Sequence, residues 1–134
     1  MKGVFRMSTI QVIARKTLPW AVLPQYDTAG AAGCDIQLAI QEEAILYPGE
    51  VTSFPAGFML KLPDGYEAQI RSRAGMARKG IVVANAPATI DADNQKEVSV
   101  LLLNITDKPI KLAPAQKVAQ MVFAPVVKAV FEEV

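Results

Sequence analysis

The sequence predicts an all-β domain, a β-sandwich or distorted jelly roll with one short helix. Turn signals recur at Pro48-Gly49, Pro63-Asp64-Gly65, residues 91–94 and Thr106-Asp107-Lys108-Pro109. Between them lie short runs rich in β-branched and aromatic residues. Several of these are apolar on both faces. Val98, Val100 and Leu102 alternate with Leu101 and Leu103, leaving that strand little solvent face. Such a strand belongs between two sheets or in a subunit interface.

In chain order the expected strands are residues 10–14, 34–38, 50–53, 58–61, 66–71, 81–83, 98–105 and 118–124. Gly30-Ala31-Ala32-Gly33 reads as a tight loop ahead of the second run. The one helical candidate is 73–79, carrying Ala74, Met76 and Ala77 and limited by Gly75 and Gly80. Two aspartates, Asp91 and Asp93, fall on an expected hairpin. The terminal run is too apolar for a free tail, with Val122, Phe123, Val126, Val127, Val130 and Phe131. Pro125 splits it, so residues 125–134 are expected as an extended arm packed on a neighbouring subunit.

The 134 residues suit a single domain, 1–134, able to bury a core without disulfides. Residues 1–7 are expected as an N-terminal extension, its first six residues preceding an alternative start at Met7-Ser8. Apolar residues make up 51% and charged ones 20%, which excludes a disordered tail. A net charge of +1 without a basic block speaks against nucleic-acid binding. No apolar run reaches the roughly 18 residues of a membrane span, and Val4-Phe5 is too short for the core of a signal peptide. The single cysteine, Cys34, fits a reducing, cytoplasmic compartment. With no histidine, His/Cys zinc sites, Ser-His-Asp triads and Cys-His nucleophiles are excluded together. Acid–base chemistry is left to Asp, Glu, Lys or Tyr. An apolar strand ending in Arg71 and Arg73, followed by Asp91, supplies a basic pair for phosphates and a carboxylate for activating water.

Four segments, in order, resemble motifs of the trimeric dUTP pyrophosphatase (dUTPase) family. Residues 24–36 contain Ala32-Gly33-Cys34-Asp35-Ile36, similar to "A-G-x-D-L". Residues 66–77, Tyr-Glu-Ala-Gln-Ile-Arg-Ser-Arg-Ala-Gly-Met-Ala, resemble "Y-E-A-Q-V-R-P-R-S-G-L-A". Residues 85–94, Asn-Ala-Pro-Ala-Thr-Ile-Asp-Ala-Asp-Asn, resemble "N-A-P-G-T-I-D-x-D-Y". Residues 115–122, Ala-Gln-Lys-Val-Ala-Gln-Met-Val, resemble "G-D-R-I-A-Q-x-V".

The resemblance implies a β-clip jelly roll assembled as a homotrimer, with active sites between subunits. It implies hydrolysis of dUTP to dUMP and pyrophosphate, with Mg2+ riding on the triphosphate and no direct protein cage. Such a metal prefers phosphate oxygens and water. By the same resemblance Asp91 is the general base. Arg73, Ala74, Gly75 and Gln120 fall at triphosphate-binding positions. Asn85, Thr89, Ile90 and Ser99 fall at the uracil pocket. Asp35 falls where the family supports the metal–water shell or Arg71.

Departures from the pattern matter for activity. Ala74 removes a hydroxyl, worth about 3 kcal/mol where water cannot replace it. Asn94 replaces the tyrosine lying against deoxyribose, Ala88 and Lys96 replace glycines, and no glycine follows Gly80, so the glycine-rich fifth motif is not found in this sequence. These changes set a working dUTPase of reduced rate against a dUTPase-fold trimer that binds nucleotide for a regulatory or structural purpose. A third reading is dCTP deaminase, on the spacing of residues 74–81 and on Arg78. It is the least favoured of the three, because Leu101 stands at that family's catalytic glutamate and Ala74 at its serine.

Overall fold

A computed structural model describes residues 8–134, so the expected extension at 1–7 lies outside the described residues. The chain folds into two facing antiparallel sheets and a small two-stranded ribbon. The first sheet runs in the order β1 (Ile13–Lys16), β5 (Val51–Lys61), β9 (Glu97–Asn104), β7 (Ile81–Val83). The second runs β2 (Gln25–Tyr26), β3 (Cys34–Gln37), β11 (Lys117–Pro125), β6 (Tyr66–Ser72), β8 (Ala88–Ile90). The ribbon pairs β4 (Ala44–Leu46) with β10 (Ile110–Leu112). The helix α1 (Ala74–Arg78) directly follows β6, separated from it by Arg73.

Period-two alternation sends one set of side chains between the sheets. Ile36, Phe58, Leu102, Val100 and Met121 are fully buried there. Truncating Phe58 to alanine would cost about 3–5 kcal/mol. The two runs expected at 50–53 and 58–61 are one strand, β5. A register shift between Pro55 and Met59 takes up Gly57, whose φ of 79° only glycine tolerates easily.

The expected hairpin across Asp91 and Asp93 is corrected in one respect. β8 pairs with β6, through Ala68↔Ile90 and Ile70↔Ala88, and forms no ladder with β9. The residues after β8 therefore cross from one sheet to the other. Asn94 N donates to Asp91 O at 3.1 Å, and Lys96 N to Asn94 Oδ1 at 2.9 Å, closing that turn.

The two-faced strand is β9. Val98, Val100 and Leu102 face the core, while Leu101 and Leu103 are half-buried on the outer face. Val51 and Val82 flank Leu103 there, with Val51 exposed. Among the described residues this apolar stripe is only partly covered. Beyond β11 the segment 126–134 has no regular structure, and Val127, Val130 and Phe131 are almost fully exposed. The strand carries on one residue further than expected, to Pro125, the first residue of the expected arm.

Candidate active site

The outer face of the second sheet carries part of the polar set that the sequence singles out. β3, β11 and β6 bring Asp35, Gln120 and Arg71 side by side, through Gln120↔Asp35 and Gln120↔Arg71. Their neighbours Cys34, Ile36, Met121 and Ile70 point inward and fix which way this row faces.

Arg73 stands one residue past β6, held in two places. Its Nε lies 3.0 Å from Asp35 Oδ1, and its Nη1 donates to the Lys117 carbonyl at 3.1 Å. The second Asp35 oxygen lies 3.4 Å from Lys117 Nζ. Asp35 is nearly buried, at 12% exposure, whereas Arg73 and Lys117 keep 32% and 45% of their side chains in solvent. Solvent screens both pairs, so their value lies more in orientation than in stability. Arg73 Nη2 has no protein partner among the described residues. A planar guanidinium held at two of its nitrogens keeps the direction of the third fixed.

Asp35 thus serves Arg73 and Lys117. Arg71, its expected alternative partner, turns instead along its own strand. Arg71 Nε and Nη2 donate to Gln69 Oε1 at 3.1 and 2.6 Å, and Gln69 Nε2 donates to Glu67 Oε1 at 3.1 Å. Gln120 donates from Nε2 to the Ser72 carbonyl at 3.0 Å, and Ser72 Oγ accepts from Val83 N at 2.9 Å. The end of β6 is thereby pinned from both sheets, just ahead of Arg73. Ala74 and Gly75 open α1 beside it; Ala74 is exposed, and open space surrounds the Gly75 α-carbon.

Asp91 lies elsewhere. The β6–β8 register puts Ile90 opposite Ala68, so Asp91 falls level with Glu67. Arg73 is six residues further along β6, about 20 Å away at roughly 3.3 Å per residue. Asp91 lines a groove of about 500 Å³ with Asp64, Glu67, Asp93 and Lys128, and neither Arg71 nor Arg73 enters it. Asn85 sits in the turn between β7 and β8, and Thr89 is exposed on the outer face of β8. Ile90 points to the core. Ser99 is exposed opposite Pro55 on the outer face of the other sheet. A single chain therefore gathers Arg73, Gln120 and Asp35, and holds Asp91, Thr89 and Ser99 apart from them.

Lys117 is the participant that the sequence reading passed over. Its signal was its place at the arginine of the fourth motif, three positions ahead of Gln120. Beneath the row, the Cys34 thiol donates to the Met121 carbonyl at 3.4 Å. Burial pushes its pKa up from the ordinary thiol value, and burial likewise raises that of its cross-strand neighbour Tyr26. Among the described residues no group of three or more acidic, His or Cys side chains is placed to hold a metal, and no helix is long and apolar enough to cross a membrane.

Known proteins share this arrangement of sequence and fold. The dUTPase family model matches residues 20–134. A deoxyuridine 5'-triphosphate nucleotidohydrolase of Brucella melitensis biotype 2 is 46% identical over 114 residues, covering 83% of this chain and 73% of the relative. The Chlamydia pneumoniae protein of the same name is 44% identical over 110 residues, covering 81% and 76%. Among solved structures, a Staphylococcus bacteriophage 80alpha dUTPase with dUpNHpp superposes with a TM-score of 0.84 at 19% identity, covering 94% of this chain and 89% of that one. A dUTPase mutant from phage phi11 of S. aureus, described for its structural Mg(II) ion, gives 0.84 at 20% identity, covering 93% and 97%. The jelly-roll fold and the matched motifs agree across nearly the whole described chain, and the protein belongs to the dUTPase family.

Proposed function

We propose that this protein hydrolyses dUTP to dUMP and pyrophosphate in sites shared between subunits of a homotrimer. The observation that carries the reading is the fixed guanidinium of Arg73, anchored through Nε on Asp35 and through Nη1 on the Lys117 carbonyl, with Nη2 unpaired among the described residues. Such a group binds phosphate oxygens at little entropic cost on arrival.

Asp91 acts as the base in this reading. Its carboxylate orients a water, takes one of its protons, and the water oxygen bonds to the α-phosphorus while the bond to the bridging oxygen breaks and pyrophosphate leaves. Arg73 and Gln120 hold the triphosphate in line. The backbone of the Asn85–Ile90 segment reads the uracil edge, a mode that tolerates changed side chains such as Ala88. The donor set suits Mg2+ carried by the substrate: the Asp35 oxygens are already taken by two cations, and a phosphate-bound ion needs few protein ligands. When bound, Mg2+ neutralises charge on the phosphates.

The distance between Asp91 and Arg73 within a chain supports the shared site, since one copy's Asp91 must meet another's Arg73. The apolar outer stripe of Val51, Leu101 and Leu103 and the exposed segment after Pro125 suit burial against neighbours. A reduced rate follows from Ala74 and Asn94, which lack a phosphate donor and a sugar-stacking ring. A cytoplasmic setting belongs to the same reading, because one unpaired cysteine suits a reducing compartment.

The test is pyrophosphate release from dUTP with Mg2+, with Asp91→Asn run beside it. Turnover that vanishes in the variant supports the reading. No turnover in either, at high protein concentration, sinks it.

A further inference from the structure

We propose that Gln116 is a positioning residue of this site, whose side chain holds the turn that presents the Lys117 carbonyl to Arg73. The inference rests on the dUTP-hydrolysing reading above and adds a residue to it.

Ala113, Pro114, Ala115 and Gln116 form a tight turn, in which Gln116 N donates to the Ala113 carbonyl at 3.2 Å. Pro114 takes its second position, and Ala115 its third with a φ of 61°. Both are features of a type II turn, whose third position favours glycine. Ala115 is the one non-glycine residue with positive φ among the described residues, and its β-carbon disfavours that conformation. Bonds beyond the turn's own backbone hold it there. Gln116 Oε1 accepts from Ala113 N at 2.8 Å, so the two residues are bonded in both directions. Ala115 N donates to the Leu38 carbonyl at 3.0 Å, and Leu38 N to the Gln116 carbonyl at 2.9 Å, which fixes the turn beside the end of β3.

The turn controls an anchor of the site. Lys117 follows it directly, and the Lys117 carbonyl accepts from Arg73 Nη1 at 3.1 Å. The register of β11 shifts between Lys117 and Ala119, so the turn, not a regular ladder, sets the direction of that carbonyl. Gln116 also reaches the helix that Arg73 begins. Its Nε2 lies 3.9 Å from the sulfur of Met76, the one buried residue of α1. A helix of five residues with no side-chain cap is held by packing more than by its own hydrogen bonds. Arg73 is the N-cap of that helix, and its carbonyl accepts from Ala77 N at 2.9 Å. One amide thus links the two elements that fix Arg73, its helix and its carbonyl acceptor, without a hydrogen bond to Arg73 itself.

Binding of non-hydrolysable dUpNHpp with Mg2+ tests this on the full chain, with the melting temperature measured beside it to verify folding. Gln116→Met is expected to weaken binding about fivefold, the size of one lost neutral hydrogen bond. Two backgrounds identify the route. In Arg73→Met, which has no guanidinium to position, adding Gln116→Met should change affinity by less than about twofold. In Ala115→Gly, where the turn closes without strain, adding Gln116→Met should weaken binding less than it does alone. A direct ligand contact or a general loss of packing would carry the full loss into both. An equal loss in either background therefore overturns the proposal, as does unchanged affinity in Gln116→Met alone. Wild-type protein that does not bind dUpNHpp, or Arg73→Met that binds it as tightly as wild type, overturns the underlying dUTP reading as well.

Discussion

Gln120 lies over the α-carbon of Gly33, close enough that a β-carbon added there would meet Oε1 and stand 3.0 Å from Cδ. The glycine of the first motif is therefore a steric requirement of the fourth. Through the Gln120–Ser72 hydrogen bond it also helps set the end of β6, where Arg73 begins.

Gly33→Ala should push the Gln120 amide off the Ser72 carbonyl. The cost to stability is about 1 kcal/mol, one part-buried hydrogen bond, because the displaced atoms end a flexible side chain. The cost to catalysis is larger, a fall in kcat/KM of about tenfold or more. Steady-state kinetics beside thermal denaturation separate the two. Gly30→Ala, where nothing lies within 4 Å, should change neither and serves as the control.

Mixing two inactive variants tests the shared site. Arg73→Met and Asp91→Asn protein, unfolded together and refolded, should regain activity that neither has alone. Random assembly gives about a quarter of the sites an intact Arg73 from one subunit and an intact Asp91 from another. Failure to regain activity in mixed assemblies would place both residues of each site in one chain.

Ala74→Ser restores a hydroxyl at the exposed first residue of α1. A donor added at a developing phosphate charge should raise kcat by about ten- to a hundredfold, with little change in melting temperature. Unchanged kcat would mean that Ala74 does not face the reacting phosphates.

Cys34 should resist thiol reagents in the folded protein and react once it is unfolded, because its thiol is buried and its pKa raised. The linked stability has a definite sign. A raised folded pKa means that the native state binds more protons than the unfolded chain above the ordinary thiol value of 9.0. That contribution is whole below about pH 9 and is lost as pH rises through the folded value. Tyr26 acts in the same direction from 10.0. The melting temperature should fall above about pH 9, and Cys34→Ala should start lower but decline less steeply. Stoichiometric labelling of native protein at neutral pH would contradict this.

The long elements of the fold were legible because alternation and turn residues agree with the packing. The strands β7, β6, β9 and β11 fall within two residues of the expected runs. The strands β2, β4, β8 and β10 were not legible: two or three residues carry no period, and none has the unbroken β-branched run Ile81-Val82-Val83 that marks the equally short β7. Pro55 and Gly57 hid the unity of β5 because they read as breaks, whereas the structure uses them in a bulge. Asp35, Arg73 and Gln120 were found by motif, and the structure adds their contacts. Lys117 escaped because its orientation depends on a bulge and its partners lie 44 residues or more away in the chain. The expected tie between Asp35 and Arg71 failed for a local reason, since Gln69, two residues along the same face, captures the arginine first.

The placement of Asp91 and Arg73 at opposite ends of β6 makes chemistry a property of concentration. With the site shared as proposed, a subunit newly released from the ribosome, or shed on dilution, carries every part and can assemble none of them. Specific activity should then fall as the protein is diluted below the association threshold, while the substrate concentration giving half-maximal rate in the surviving oligomers stays constant. The fold would thereby withhold hydrolysis from incomplete assemblies without an inhibitor, a propeptide or a covalent modification.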